Sequence, residues 1–285
     1  MLYARMGVGL AVFLLAACAA VPPQSPASNA PFPYSAQLAQ LLPADVLIVG
    51  EQHDVAHHQR LHLAVVEQLA QDHRLGALAL EMASADNTTA SLVAQASEAD
   101  VQTALQWQND AWPWTAYGPA VMAAVRAGVV VAGANLPNDR LRGAMKDPAL
   151  DAQLSGPALK AQQQAIRMGH CGLLPESQIG PMTRVQIARD ISMAKTVSSL
   201  RKDRKTVLLL TGNGHANPTL GVPLHLPADL ITKTVLLQAQ QALPAPDSIA
   251  PFSQTWTTDA APAVDYCADF EASRSPPPPA LAPTH

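Results

Sequence analysis

Short, continuously apolar runs recur along the chain and alternate with stretches of helical periodicity. The runs cover residues 46–49, 77–80, 129–132, 207–210 and 235–237. Because they are apolar throughout rather than alternating, they are typical of strands covered on both faces of a parallel sheet. Between the first two runs, Leu61, Val65 and Leu69 recur every fourth residue and predict a helix over 55–73. The pattern therefore predicts an α/β fold, with a mostly parallel sheet flanked by helices.

Two insertions interrupt this alternation. Residues 84–116 and 136–203 are longer than one crossover requires, and their composition predicts mostly helical structure. Pro175, with Glu176 in the first turn behind it, indicates the start of a long helix that runs to about residue 200. We expect an α/β domain over residues 37–270, with a smaller helical subdomain formed by the insertions.

The first eighteen residues have the features of a bacterial lipoprotein signal. Arg5 precedes an apolar run over residues 8–17, which is too short to span a bilayer. The run ends in Leu-Ala-Ala-Cys, so Cys18 is the predicted lipidation site. An ordinary signal peptide with a chance cysteine is the alternative, and both interpretations predict export. Because Ala19 rather than aspartate follows the cysteine, we expect a lipid anchor in the outer membrane.

Composition bounds the rest of the chain. Residues 19–36 are rich in Pro, Ser, Ala and Asn and predict a flexible tether, and residues 271–285 predict a disordered, proline-rich tail. With 48% hydrophobic and 14% charged residues, the part between them can bury a large core. The net charge of −4 argues against a nucleic-acid partner, which would require clustered Lys and Arg.

Two further cysteines remain after Cys18. In an oxidising compartment, Cys171 and Cys267 most simply form one disulfide. A pair of free thiols and ligation of a metal are the alternatives.

Polar side chains follow four of the apolar runs. Glu51 and His53 follow the first, Glu81 the second, Asn135 the third, and Asn213 and His215 the fourth. In an open α/β sheet the carboxyl ends of parallel strands line one crevice, where ligands bind. We therefore expect these side chains to meet at one polar rim. Each of these residues, taken alone, could also be an ordinary surface residue or a side chain that hydrogen-bonds to a loop carbonyl.

The rim residues Glu51, His53, Glu81 and His215 suit two kinds of chemistry. As a mixed N/O donor set they could hold a divalent metal such as Zn, Mn or Fe. Without a metal, a histidine could act as general base with a carboxylate orienting it. On the following helix, His57 could point back into the crevice, whereas His62 is expected on a solvated face.

Aromatic residues are concentrated in one segment. The chain is 4% aromatic, yet Trp107, Trp112, Trp114 and Tyr117 lie within eleven residues. One interpretation is packing of the helical insertion on the sheet. The other is a flat apolar wall for a planar ligand such as haem, with the Tyr117 oxygen as an iron ligand. His170 is a further candidate ligand for the iron.

Five segments resemble the ChaN family of haem-binding lipoproteins. They are VLIVGEQHDVAHH at 46–58, LALEM at 78–82, MGHCGLLPE at 168–176, ARDISMA at 188–194 and TGNGHANPTLGVP at 211–223. The resemblance extends in the same order over residues 40 to about 270, and it adds Arg189 and Asp190 to the site candidates. More distantly, the GEQH, Glu81 and His215 elements are similar to those of Tiki-type metalloproteases, TraB-like proteins and erythromycin esterases.

The resemblance implies a role in haem and iron uptake, a parallel-sheet domain with a smaller helical domain, and haem bound through a tyrosine. It allows a homodimer and a haem receptor as further partners. Two classes of function follow from the sequence. One is a haem-binding outer-membrane lipoprotein; the alternative is a hydrolase of the Tiki or erythromycin-esterase type, which uses the rim with or without a metal.

Overall fold

The fold is built around a twisted sheet of parallel strands. A computed structural model describes residues 32–240, 251–262, 264–265, 267–268 and 271. In these residues the sheet has six strands in the order β3-β2-β4-β1-β5-β6, and every neighbouring pair is parallel. The strands are β1 (Val46–Glu51), β2 (Leu75–Ser84), β3 (Val130–Asn135), β4 (Thr206–Gly212), β5 (Thr232–Ala239) and β6 (Gln254–Thr258).

The five apolar runs all form strands of this sheet, which confirms the predicted fold class. Every residue of β1 and of β4 is buried, as expected for central strands with both faces covered. β6 was not predicted from the sequence. It is an edge strand of polar residues in which only Trp256 and Thr258 are buried, so it lacks the continuous apolar run.

Helices cover both faces of the sheet. They are α1 (Ser35–Leu41), α2 (Ala56–Gln71), α3 (Glu98–Leu105), α4 (Trp114–Arg126), α5 (Leu141–Lys146), α6 (Gly156–Gly169), α7 (Glu176–Ser199) and α8 (Asn213–Ala216), with 3-10 turns at Asn138–Arg140, Pro148–Gln153 and Val222–His225. α1 to α4 share one hydrophobic core with the sheet, and α7 contributes to a second core on the other face. A ligand at the carboxyl edge would therefore meet residues from both helical layers.

The two insertions differ in structure. The second contains α5, α6 and the whole of α7, and α7 begins directly after Pro175, as predicted. The first is less helical than expected, because residues 85–89 run along the outer edge of β3. There the Asn87 carbonyl accepts from Gly133 N at 2.9 Å, and Thr89 exchanges hydrogen bonds with Val131. This segment satisfies backbone groups that an edge strand would otherwise leave unpaired.

The ordered domain begins before residue 37. Tyr34 stacks on Trp256 with ring centroids 4.8 Å apart, and Phe32 meets the same ring edge-on at 5.9 Å. Residues 32–36 are thus part of the fold rather than of the tether, because burial of these two aromatic side chains orders them. The signal peptide with Cys18, tether residues 19–31 and tail residues 272–285 lie outside the described residues.

A disulfide joins Cys171 to Cys267, with their Cα atoms 5.6 Å apart. The predicted pairing is confirmed, and it ties the turn after α6 to the last part of the chain. Among the residues that the structure describes, no helix combines the length and the apolar character needed to cross a membrane.

Candidate functional site

The polar rim lies at the carboxyl edge of the sheet, as the strand order requires. β1, β2 and β4 are neighbours, so Glu51 at the end of β1, Glu81 in β2 and His215 in α8 are brought together. His53 follows β1 and leans over Gly212. A Cβ at Gly212 would lie only 2.8 Å from His53 Nε2, so glycine permits this close approach.

Glu51 and His53 form a hydrogen-bonded pair. The carboxylate accepts from His53 Nδ1 at 2.8 Å. Because an ionised carboxylate can only accept, Nδ1 carries the proton, and in the neutral form of the ring Nε2 keeps its lone pair. Glu51 is 2% exposed, whereas the His53 side chain is 40% exposed. The pair therefore places a partly exposed imidazole, which lines a cavity, in front of a buried carboxylate.

Glu51 is held by three further side chains. Tyr117 donates its hydroxyl hydrogen to Glu51 Oε1 at 2.7 Å, and Gln59 donates to Oε2 at 2.7 Å. His62 Nδ1 lies 3.4 Å from Oε2. Burial raises the pKa of Glu51, but the neighbouring histidines and the Tyr117 hydroxyl lower it more, so the carboxyl stays ionised.

The second half of the rim is a buried histidine between two carboxylates. His215 Nδ1 lies 2.6 Å from Asp190 Oδ1, and its Nε2 lies 3.5 Å from Glu81 Oε1. The other Glu81 oxygen accepts from Thr211 Oγ1 and from Gly212 N, both at 2.7 Å. Asp190, on α7, thus joins the rim as the resemblance implied.

Protonation differs between the two histidines. Burial lowers the pKa of His215, but the charges of Glu81 and Asp190 raise it well above its ordinary value and keep the ring protonated. Burial also lowers the pKa of His53. The hydrogen bond to Glu51 and the charge of Glu81 raise that pKa by more, so the net shift is upward from the ordinary value. The rim consists of a fixed imidazolium beside a titratable imidazole.

A cavity of about 900 Å³ opens in front of the rim. This volume lies within the range of small-molecule sites. Trp112 meets the His53 ring edge-on, with centroids 4.9 Å apart, and forms an aromatic wall on the α4 side. Arg189 of α7 and Asn135 at the end of β3 also line the cavity.

The structure places four other predicted residues away from the cavity. His57 is half-buried and, in the described residues, neither lines the cavity nor hydrogen-bonds to the rim. Asn213 donates to the Leu237 carbonyl at 3.0 Å and links the end of β4 to β5. Trp114 donates to Glu98 and packs on Trp107. His170, at the end of α6, contacts the Ile166 carbonyl.

Tyr117 and His62 are both buried, and the prediction of a solvated His62 was wrong. Tyr117 is 4% exposed and its hydroxyl is committed to Glu51; burial and the Glu51 charge hold its pKa far above the ordinary range. It therefore fits a structural donor rather than an iron ligand. His62 is 1% exposed rather than solvated, because α2 packs against both α4 and the sheet and so buries this helix face beside Glu51.

The rim gives no support to a divalent metal site. Within the described residues, no group of three or more His, Cys, Asp and Glu side chains has the geometry to hold a metal ion. The physical reason is that the carboxylate oxygens are already occupied. Glu51 accepts from His53, Tyr117 and Gln59, and Glu81 accepts from Thr211 and Gly212.

Sequence reasoning missed several residues that complete the rim. Gln59 and Thr211 hold the two carboxylates, and Gln186 of α7 lies 3.1 Å and 3.2 Å from the two ring nitrogens of His215. Thr211 could have been found, since it belongs to the TGNGH segment. Gln59 and Gln186 lie within helices, and no pattern in the sequence distinguishes them from surface glutamines.

Fold and rim together define an α/β protein with a ligand cavity at the carboxyl edge of a parallel sheet. A family model described as "Haem-binding uptake, Tiki superfamily, ChaN" matches residues 37–226, and the chain belongs to this family. Among solved structures, the chain is similar to ChaN of Campylobacter jejuni, a protein to which heme binds cofacially. The TM-score is 0.61 with 23% identity, covering 72% of this chain and 86% of that one.

A second solved structure, that of the type III effector HopBA1, aligns with 16% identity over 78% of this chain and 92% of its own length. Its TM-score of 0.41 is too low to indicate a shared fold. No curated protein is similar enough in sequence to count as a relative.

Proposed function

We propose that this protein binds haem in the rim cavity and presents it on a lipid anchor at the outer membrane, as part of haem and iron uptake. The observation that carries the proposal is the hydrogen bonding of the His53 ring. Its Nδ1 donates to a buried carboxylate and its Nε2 makes no hydrogen bond among the described residues. A histidine that ligates a metal usually donates its other ring nitrogen in this way.

The cavity residues fit haem through histidine better than through tyrosine. When bound, haem supplies an iron that an imidazole nitrogen can coordinate. His53 would hold the iron and Trp112 would flank the porphyrin plane. Of the tyrosines in the described chain, Tyr117 donates to Glu51 and Tyr34 donates to the Thr257 carbonyl, so neither hydroxyl is available.

Titration of the mature protein with haemin, followed by visible absorption, tests this proposal. We expect a shifted Soret band for the parent and for His57→Ala, which is the matched control because His57 lies next to the site but outside the cavity. His53→Ala should weaken binding and change the spectrum. A parent protein without a spectral change, or a His53→Ala spectrum identical to the parent's, would refute the assignment.

The lipid anchor is tested separately. Cys18→Ser should abolish labelling with a radioactive fatty acid and leave the precursor uncleaved by the lipoprotein peptidase. A single acyl chain binds membranes marginally, whereas several chains anchor a protein stably. A substituted protein that still takes up the label would contradict the proposed anchor.

The Glu51–His53 pair also supports a second candidate, a hydrolase with His53 as general base. A buried carboxylate that fixes the histidine tautomer is the arrangement found in nucleophile-activating triads. Chromogenic esters provide a direct assay. Activity that His53→Ala and Glu51→Gln both abolish, in a parent that binds no haemin, would favour the hydrolase.

A further inference from the structure

Arg189 differs from the other partly buried arginines described on its own helix and nearby. Its Nε is buried and makes no hydrogen bond within the described structure. Five residues earlier on α7, Arg184 donates to both oxygens of Asp151, at 2.7 Å and 3.0 Å. Arg167 on α6 is bonded in the same bidentate manner to Glu176, at 2.8 Å and 3.0 Å.

The carboxylates around Arg189 form their hydrogen bonds with other groups. Asp190, the next residue, hydrogen-bonds to His215, and although the charge of Arg189 lowers the pKa of Asp190, the described residues show no hydrogen bond between the two. Glu81 accepts from Thr211 and Gly212. At the cavity mouth Asp86 lies 3.5 Å from Arg140, and Asp139 is exposed to water. A buried guanidinium nitrogen with no acceptor weakens the fold, and a ligand anion would remove that cost.

Arg189 also lies at the right place for a ligand contact. It lines the cavity of about 900 Å³ from α7, whereas Trp112 lines it from the helical layer on the other face of the sheet. Asn135 lines the same cavity, and since its Oδ1 accepts from Leu136 N, its amide nitrogen remains to donate. The cavity lining therefore combines an aromatic side chain with a cation and an amide donor that come from other elements of the fold.

We infer that Arg189 binds a carboxylate of the cavity's ligand and so makes the site selective for anionic ligands. The inference rests on the proposed function, because haem offers two propionate carboxylates beside a flat apolar ring. The planar guanidinium matches a carboxylate with two parallel hydrogen bonds. In this arrangement His53 would hold the iron and Arg189 would set the orientation of the porphyrin.

The test compares haemin with its dimethyl ester, which has the same ring and iron but no carboxylates. The parent should bind haemin about tenfold to a hundredfold more tightly than the ester, the range of a charge-assisted hydrogen bond. Arg189→Gln should lose most of this preference, and Arg189→Lys should keep part of it. The matched control is Arg140→Gln, which removes the same charge at the mouth of the cavity, where Arg140 is 62% exposed. It should retain the preference.

The outcomes separate the inference from the proposed function. If haemin does not bind to the parent, the proposed function fails and the inference falls with it. If haemin binds and Arg189→Gln keeps the parent's preference for haemin, only the inference fails. Thermal unfolding distinguishes ligand binding from a structural role of Arg189. Arg189→Gln should have a Tm no lower than that of the parent. A large loss of Tm would show that Arg189 stabilises the fold, against the inference.

Discussion

Removal of His215 should destabilise the protein more than removal of any exposed histidine. His215 is the cation between Glu81 and Asp190, and all three residues are at most 5% exposed. In His215→Gln the two carboxylates would remain buried without a positive charge between them. Breaking a buried ion pair by removing one partner costs about 3–5 kcal/mol. We expect a loss of this size in the free energy of unfolding.

The structure also says where that cost arises. Glu81 keeps its hydrogen bonds from Thr211 and Gly212, so Asp190 would be the carboxylate left without a hydrogen bond in the described residues, with only the charge of Arg189 to offset its own. Asp190→Asn should cost less, about 1.5–3 kcal/mol, because it removes a charge and leaves a neutral acceptor. The double variant should lose less than the sum of the single variants, by about 1–3 kcal/mol, since no orphaned carboxylate remains.

Urea unfolding followed by tryptophan fluorescence, with the disulfide intact, measures the free energy of unfolding of the parent, the two single variants and the double variant. His57→Gln is the control, because His57 is half-buried and makes no hydrogen bond to the rim in the described residues; it should change stability by about 0.5 kcal/mol or less. Additive effects of His215→Gln and Asp190→Asn, within about 0.5 kcal/mol, would show that the two residues are not energetically coupled.

Three further predictions follow from the same contacts. Because its two carboxylates raise the pKa of His215, its contribution to stability is complete below 6.5 and is lost as pH rises through the raised value. Urea unfolding should therefore show the parent losing stability above pH 6.5 more steeply than His215→Gln. Tyr117→Phe removes a buried donor to Glu51 and should cost about 1–2 kcal/mol while the haemin spectrum stays unchanged; a changed spectrum would restore Tyr117 as a ligand. Gly50→Ala should cost about 1–3 kcal/mol in thermal unfolding, because a Cβ there would lie 2.7 Å from two side-chain atoms. Gly143→Ala, with nothing within 4 Å, should be neutral or stabilising.

The fold was predictable because five strands each contain a continuous apolar run. That property follows from burial on both faces, so it is visible in the sequence alone. β6 was not predictable in this way, since one face of an edge strand needs little apolar surface and Trp256 is its single large buried side chain. The first insertion was misjudged because residues 85–89 pair with the backbone of β3, a contact that side-chain patterns do not encode.

The meeting of the rim residues was predictable, and their partners were not. Each of Glu51, Glu81 and His215 follows or ends an apolar run, so the parallel sheet alone brings them to one edge. The direction of the Tyr117 hydroxyl, by contrast, depends on how α4 packs on α2. The same packing buries His62, which helical periodicity alone assigned to a solvated face.

The position of β4 has a consequence for the order of assembly. β4 lies between β1 and β2, although the whole chain from Ser84 to Thr206 separates it from β2 in sequence. β1 and β2 do not pair with each other. The sheet joins them only when this late segment pairs with both. Non-local closure of this kind is slow, because the entropy of a long loop is lost before its contacts form. During folding, Glu51 and Glu81 are not held together until Thr206–Gly212 pairs with both strands, so the cavity can accept its ligand only in a completed fold.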